Sequence, residues 1–137
     1  MREILFRGKR VDNGEWIEGC LFRVYERVCR GVYQPREYAI QSAEEWIAPP
    51  FVVAETVGQF TGLMDKNGKK IFEGDILSDG DDTYKVMFDE GVFRIENSHY
   101  ITGLYVAIHI DKIDEVIGNI YDNPELLEEE EWNTPKY

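Results

Sequence analysis

The sequence predicts a mainly β protein assembled from antiparallel hairpins, and three observations carry that prediction. Turn signals break the chain at short intervals: Asp12-Asn13-Gly14, Lys66-Asn67-Gly68, Ser78-Asp79-Gly80 and Asp89-Glu90-Gly91. Asn-Gly accepts the positive φ of tight hairpin turns, and the segments between these signals are rich in Val, Ile, Phe, Tyr and Trp. With 43% hydrophobic and 13% aromatic residues over 137 positions, the chain has the composition of a folded domain, and no apolar run nears the ~18 residues of a membrane span.

The elements follow in order. Residues 4–8 and 15–22 read as a first hairpin about Asn13-Gly14, and residues 24–33 as a third strand of the same sheet. Ser42-Ala43-Glu44-Glu45 fits a capping box, in which the Ser hydroxyl and the Glu carboxylate satisfy each other's backbone donors. It predicts a short helix near residues 42–48, ended by Pro49-Pro50. Gly58, Gly62, Gly68 and Gly74 fall so densely that several special backbone angles are implied. Neither GxGxxG nor GxxxxGK[ST] occurs there, so the stretch reads as a structured crossover rather than a phosphate loop. Further strands are expected at residues 75–77, 83–88, 92–95, 104–108 and 115–120. A C-terminal helix is expected over residues 124–132, with Asn123 as its cap and Pro124 at its first position, where the missing N–H costs nothing. The organisation expected is an N-terminal β subdomain, residues 1–57, and a second part, residues 58–137, holding the crossover, a β unit and the helix.

Charge separates the two parts. The net charge is −12; through Val57 eight basic residues face nine acidic ones, whereas from Gly58 onward seven face eighteen, a net of −11. Such a field repels phosphate backbones and anionic lipid, so nucleic acid is a disfavoured partner and membrane is not expected. Arg2, Arg7, Lys9 and Arg10 leave room only for a weak nucleic-acid-binding module and read more simply as a solvated strand face. Cys20 and Cys29, nine residues apart, match neither CxxC chemistry nor a zinc knuckle; both are expected as buried or half-buried apolar side chains. Residues 1–7 carry charges and no apolar run toward a cleavage site, so no secretory signal is expected and the cytoplasm is the expected compartment.

The chemistry-bearing residues do not form a recognisable constellation. His99 and His109 are the only histidines, and Ser98 beside His99 would point to the opposite strand face. Asp79, Asp81 and Asp82, with His109 and Asp111, are the candidate cation cluster; their reading would be a small metal-dependent hydrolase. Their spacing is not that of a calcium loop, so solvated turns are the simpler expectation. No cofactor is expected and catalysis is not favoured. The aromatics Tyr25, Tyr33, Tyr38, Trp46, Tyr100 and Tyr105 are expected mainly in the core or on sheet faces, with some left for an oligomer or partner interface.

Several blocks carry a family likeness: Phe6-Arg7-Gly8-Lys9-Arg10 with Asn13-Gly14-Glu15-Trp16, then Glu55-Thr56-Val57-Gly58-Gln59-Phe60-Thr61-Gly62-Leu63, Asp65-Lys66-Asn67-Gly68-Lys69, Ile71-Phe72-Glu73-Gly74-Asp75-Ile76, and Glu115-Val116-Ile117-Gly118-Asn119-Ile120-Tyr121-Asp122-Asn123-Pro124-Glu125-Leu126-Leu127. Together and in this order they resemble the YopX protein family of phages and prophages. Residues 24–53 carry no motif of that likeness and read as this member's own insertion. The resemblance implies a small cytoplasmic protein of a host bacterium, mainly β, and it supplies no catalytic residue. Glu73-Gly74-Asp75-Ile76, leading into alternating β residues, resembles the turn that opens SH3-like small barrels, so such a barrel is expected in the C-terminal half. Glu73 and Asp75 are the candidate functional polar spot; the competing role is pairing with Lys69, Lys70 or backbone donors. The function expected is an accessory role exercised by binding a host or phage protein, with self-association through open sheet edges. A sharper alternative is an acidic mimic of DNA that occupies a DNA-binding protein.

Overall fold

The structure is a computed structural model that describes residues 3–43 and 48–127. It is mainly β, with two antiparallel sheets. The chain divides into two compact units, Met1–Phe60 and Thr61–Tyr137.

The first unit is built on three strands, β1 (Phe6–Lys9), β2 (Trp16–Cys29) and β3 (Val32–Gln41), with the two-residue β4 (Phe51–Val52) beside β3. The hairpin expected about Asn13-Gly14 forms, with Phe6 opposite Gly19 and Lys9 opposite Trp16. Gly14, at φ +73°, supplies the left-handed residue that the turn needs. The first residues of β5 (Gly58–Met64) then pair with β1, Arg7 lying opposite Gly58. Residues 24–29 are not a third strand, as the sequence suggested. They continue β2, and the chain reverses only at Arg30-Gly31, where Gly31 has φ +77°. Asn-Gly and Asp-Gly pairs announce turns, but Arg-Gly does not, so this reversal left no conventional signal.

Gly8 shows how close the packing is beneath β1. A Cβ there would stand 3.1 Å from Val52 Cβ and 3.2 Å from Ile40 Cδ1, both fully or almost fully buried. The short helix expected near residues 42–48 falls largely on residues 44–47, which lie outside the described residues. A single 3-10 turn, Ala54–Thr56, leads into β5.

The second unit receives the rest of β5, which neighbours β6 (Lys70–Phe72) across the Lys66-Asn67-Gly68 turn. The expected glycine-rich crossover is therefore a hairpin, and its density of glycine reflects positive φ at Gly62 (+88°), Gly68 (+80°) and Gly74 (+93°). Next come β7 (Asp75–Ser78), β8 (Thr83–Asp89), β9 (Val92–Glu96), β10 (Ile101–Gly103), the helix α1 (Leu104–His109) and β11 (Glu115–Asn119). The sheet order is β10-β9-β8-β7-β11, every pairing antiparallel. A four-strand meander whose fifth strand returns beside the first, after a short helix, is an SH3-like arrangement; the order ends at β10 and β11.

Residues 104–108, expected as a strand, form α1. Leu104, Ala107 and Ile108 are buried while Tyr105 and Val106 are exposed, so the apolar residues fall at helical spacing, which in so short a run looks like strand alternation. The core of this unit gathers Ile71, Leu77, Tyr84, Val86, Ile95, Leu104, Ala107, Ile108 and Ile113. Each large aliphatic side chain buried there contributes roughly 1.5–3 kcal/mol by removal from water. At the C-terminal end, a 3-10 turn at Pro124–Leu126 stands where a longer helix was expected, and residues 128–132 of that expectation lie outside the described residues. Asn123 makes no side-chain cap; its Oδ1 accepts from Asn119 N–H at 3.1 Å instead.

Candidate functional site

Asp75 is the most buried carboxylate of the polar spot the sequence singled out, 1% exposed, and its Oδ2 accepts from the Phe72 N–H at 2.8 Å. Gly74 between Glu73 and Asp75 donates its N–H to Val86 O and accepts from Ile120 N–H, both at 2.8 Å. The Tyr121 ring lies against it, 3.0 Å from where a Cβ would be. The turn thus fastens β6, β7, β8 and the end of β11, and Asp75 has a backbone donor of the kind named as the competing role.

The other recurrent blocks do the same kind of work. Thr56 Oγ1 accepts from Lys9 N–H at 2.9 Å and donates to Val53 O at 2.6 Å. Thr61 Oγ1 donates to Ile71 O at 2.8 Å. Asn119 Oδ1 accepts from Tyr121 N–H and Asp122 N–H at 3.0 and 2.9 Å. These polar side chains bond to backbone groups that join turns and strands.

The candidate cation residues are placed at two positions joined by a pair of tyrosines. Asp79 Oδ1 accepts from the N–H groups of Asp81 and Asp82 at 2.9 and 2.8 Å, and its Oδ2 from the Tyr84 hydroxyl at 3.3 Å. Asp111 Oδ2 accepts from the Tyr100 hydroxyl at 2.6 Å. The two phenol rings meet edge to face, centroids 6.2 Å apart. His109 turns to a different neighbour, its ring 4.2 Å from that of Tyr105. Among the described residues no group of three or more His, Cys, Asp or Glu is gathered as a metal would require.

The electrostatics agree with that bonding. Burial alone would push the Asp79 carboxyl up, but the Asp82 and Asp81 N–H groups and the Tyr84 hydroxyl outweigh it and hold it below the ordinary aspartate value. Burial, reinforced by the charges of Asp79 and Asp82, pushes the Tyr84 phenol up to about 12. The hydrogen bond to Asp111 raises the Tyr100 phenol as well. Both tyrosines are therefore protonated hydrogen-bond donors at neutral pH.

The feature that sequence reading missed is the far half of the β2–β3 hairpin. β2 meets β1 only through Trp16–Gly19, and β3 meets β4 only at Tyr38 and Ala39. Among the described residues, positions 24–37 pair only with each other, a two-stranded arm with both outer edges open. Every residue from Tyr25 to Glu37 is exposed. Register places Tyr25 opposite Pro35 and Arg27 opposite Tyr33, so strand alternation sets these four on one face. Glu26 and Gln34 pair on the other face, where Arg36 Nη1 also meets Glu26 Oε2 at 2.9 Å. Pro35 is tolerated because β3 is an edge at that point. Cys20 and Cys29, expected as buried or half-buried, are both exposed on β2. The legible signal was the two-residue spacing of Tyr25 with Arg27 and Tyr33 with Pro35 about Arg30-Gly31.

The model of the YopX protein family matches residues 5–128. The chain belongs to the YopX family. Among solved structures, this YopX chain is similar to protein EF1440 from Enterococcus faecalis, at 25% identity and a TM-score of 0.58, over 93% of this chain and 100% of that one. No curated protein matches the chain. No helix among the described residues is long and apolar enough to cross a membrane.

Proposed function

We propose that this YopX-family chain is a phage- or prophage-encoded accessory protein of the bacterial cytoplasm that works by binding another protein, with the β2–β3 arm as the element that binds. One observation carries the reading: an exposed aromatic and proline face, Tyr25, Tyr33 and Pro35 with Arg27, on a ribbon whose edges are both unpaired among the described residues. An isolated two-stranded hairpin is marginally stable in water, and open edges with exposed apolar side chains invite pairing. Tyrosine and arginine are also the side chains that concentrate binding energy at protein interfaces. The carboxylates that a catalytic reading would use, Asp75, Asp79 and Asp111, are engaged as acceptors within the fold.

The test is native mass spectrometry of the protein purified gently from bacterial cells, beside a Tyr25→Ser/Tyr33→Ser variant. Both tyrosines are about 60% exposed, at 58% and 60%, so the variant keeps its core. The wild type is expected in an assembly with itself or another polypeptide, and the variant alone. A wild type without any bound polypeptide, or an assembly indifferent to the substitutions, contradicts the proposal.

A further inference from the structure

The arm's charge narrows the choice of partner. Residues 22–37 hold Arg23, Arg27, Arg30 and Arg36 against Glu26 and Glu37, a net of +2 in a chain whose net charge is −12. Arg36 is paired with Glu26, and the Arg23 guanidinium lies 4.8 Å over the Tyr38 ring. Arg27 and Arg30 have no carboxylate within salt-bridge distance among the described residues. Two such arms repel one another, so arm-to-arm pairing is the wrong match, and the surface that fits is apolar and acidic.

The second unit presents such a surface. Along β10 and α1 the large side chains Tyr100, Ile101, Tyr105, Val106 and Ile110 are exposed, three of them above half: Ile101 at 54%, Tyr105 at 64% and Ile110 at 68%. Asp111 stands at the end of this run, its Oδ2 fixed by the Tyr100 hydroxyl. Among the described residues of this unit, six basic side chains, Lys112 beside Asp111 among them, stand against fourteen acidic ones. An aromatic and aliphatic strip bordered by a carboxylate, in a strongly negative field, complements an arm of tyrosine, proline and arginine in both polarity and charge.

We infer that the occupant of the arm is a second copy of this chain, the arm of one copy seating Tyr25, Tyr33 and Arg27 on the Tyr105–Asp111 strip of the next. The inference rests on the protein-binding reading above and names its partner. Each copy offers one arm and one strip, two different surfaces, so the contact is of the heterologous kind and repeats from copy to copy until the assembly closes. Its attraction is largely between exposed charges at the rim, so salt weakens it; the Debye length falls from ~10 Å at 0.1 M to ~3 Å at 1 M.

The experiment is light scattering on the purified full chain at about 100 µM, in low and 1 M salt, with three variants. Wild type is expected above monomer mass at low salt, with a smaller assembled fraction in 1 M salt. Arg27→Glu/Arg30→Glu and Asp111→Lys are each expected at monomer mass, and the chain carrying all three substitutions is expected to reassemble, since the charges again oppose. Circular dichroism melting checks that each variant is folded. A wild type monomeric throughout, or an assembly that ignores both charge reversals, overturns the second-copy inference. If the monomeric wild type nonetheless leaves cells bound through its arm to a different protein, the protein-binding reading survives without it; if it leaves cells bound to nothing, both fall.

Discussion

The Asp65 carboxylate accepts from the backbone N–H of Val116 at 3.0 Å, a contact spanning 51 positions of sequence. Its other oxygen closes the Lys66-Asn67-Gly68 turn, accepting from Asn67 N–H and Lys69 N–H at 2.8 Å each. One nearly buried side chain therefore fastens the β5–β6 turn to the start of β11. Asp65→Ala leaves three N–H groups to find other partners, and the expected loss is about 2–3 kcal/mol in urea unfolding, several degrees in Tm. A variant within 0.5 kcal/mol of wild type would show that the carboxylate is dispensable.

The same residue sets an acid dependence. Burial would raise the Asp65 carboxyl, but the N–H groups of Val116, Lys69 and Asn67 overcome it and hold it below the ordinary aspartate value. A carboxyl depressed in the folded state contributes stability above its unfolded pKa of about 3.9 and loses it as pH falls through the lower folded value. Wild type is expected to lose stability steeply below about pH 4, and Asp65→Asn to show a shallower slope there. Parallel slopes in the two proteins would remove Asp65 from the account.

At the alkaline end the sign is reversed. The Tyr84 phenol, held at about 12 by burial and by Asp79 and Asp82, favours the folded state below the unfolded value near 10 and loses that contribution as pH rises toward its folded value. Ultraviolet titration should show one late phenol absent from Tyr84→Phe, and in Asp79→Asn the late step should move down. A late step unchanged in Asp79→Asn would mean the aspartate does not govern it.

Gly19 tests the packing of the first unit. A Cβ there would fall 2.0 Å from the backbone oxygen of Gln41, which cannot move aside without disturbing the β2–β3 ladder. Gly19→Ala is expected to cost at least about 1–3 kcal/mol, the range for forced overpacking. Gly31→Ala, at φ +77° with open space around it, is strained in backbone alone and should cost about 1–2 kcal/mol. Equal melting temperatures for Gly19→Ala and wild type would contradict this register.

The candidate cation residues yield a prediction too. Asp79 and Asp111 use acceptor capacity on Asp81, Asp82 and Tyr84 and on Tyr100, and the His109 ring lies tilted against that of Tyr105. A ligand that binds the folded state raises Tm by mass action. Melting curves are expected to be the same with and without millimolar Mg²⁺, Mn²⁺ or Ca²⁺, and a rise with any of them would restore the metal reading.

What the sequence disclosed follows from how local each signal was. The turns at Asn13-Gly14, Asn67-Gly68 and Glu90-Gly91, and the strands at β1, β7, β8, β9 and β11, are written in contiguous residues, and they form where expected. Helix α1 was misread because six residues are too few to separate helical from strand spacing once Leu104, Val106 and Ile108 are all apolar. The glycine-rich stretch was misread because its glycines serve a hairpin's backbone angles, which composition does not distinguish from those of a loop. The arm was invisible for a different reason. Its meaning depends on what does not pair with it, and β2 and β3 outrun their neighbours only once the register of β1 and β4 is known. The candidate polar residues were legible as residues, and backbone donors were named as a competing role for Glu73 and Asp75, but which donor meets which carboxylate was not legible, since the fold sets contacts such as that of Asp75 with the Phe72 N–H.

The most direct test of the arm as the binding element is hydrogen exchange at the amides of residues 24–37, followed in the protein as isolated from cells and in the Tyr25→Ser/Tyr33→Ser variant. In a bound arm the outward-facing edge amides are covered, and those of the wild type are expected to exchange markedly more slowly than those of the variant, while the core amides of β7, β8 and β9 exchange alike in both. Equal and rapid exchange of the arm in the two proteins would contradict the account, because it would mean that nothing covers the surface on which the proposed function depends.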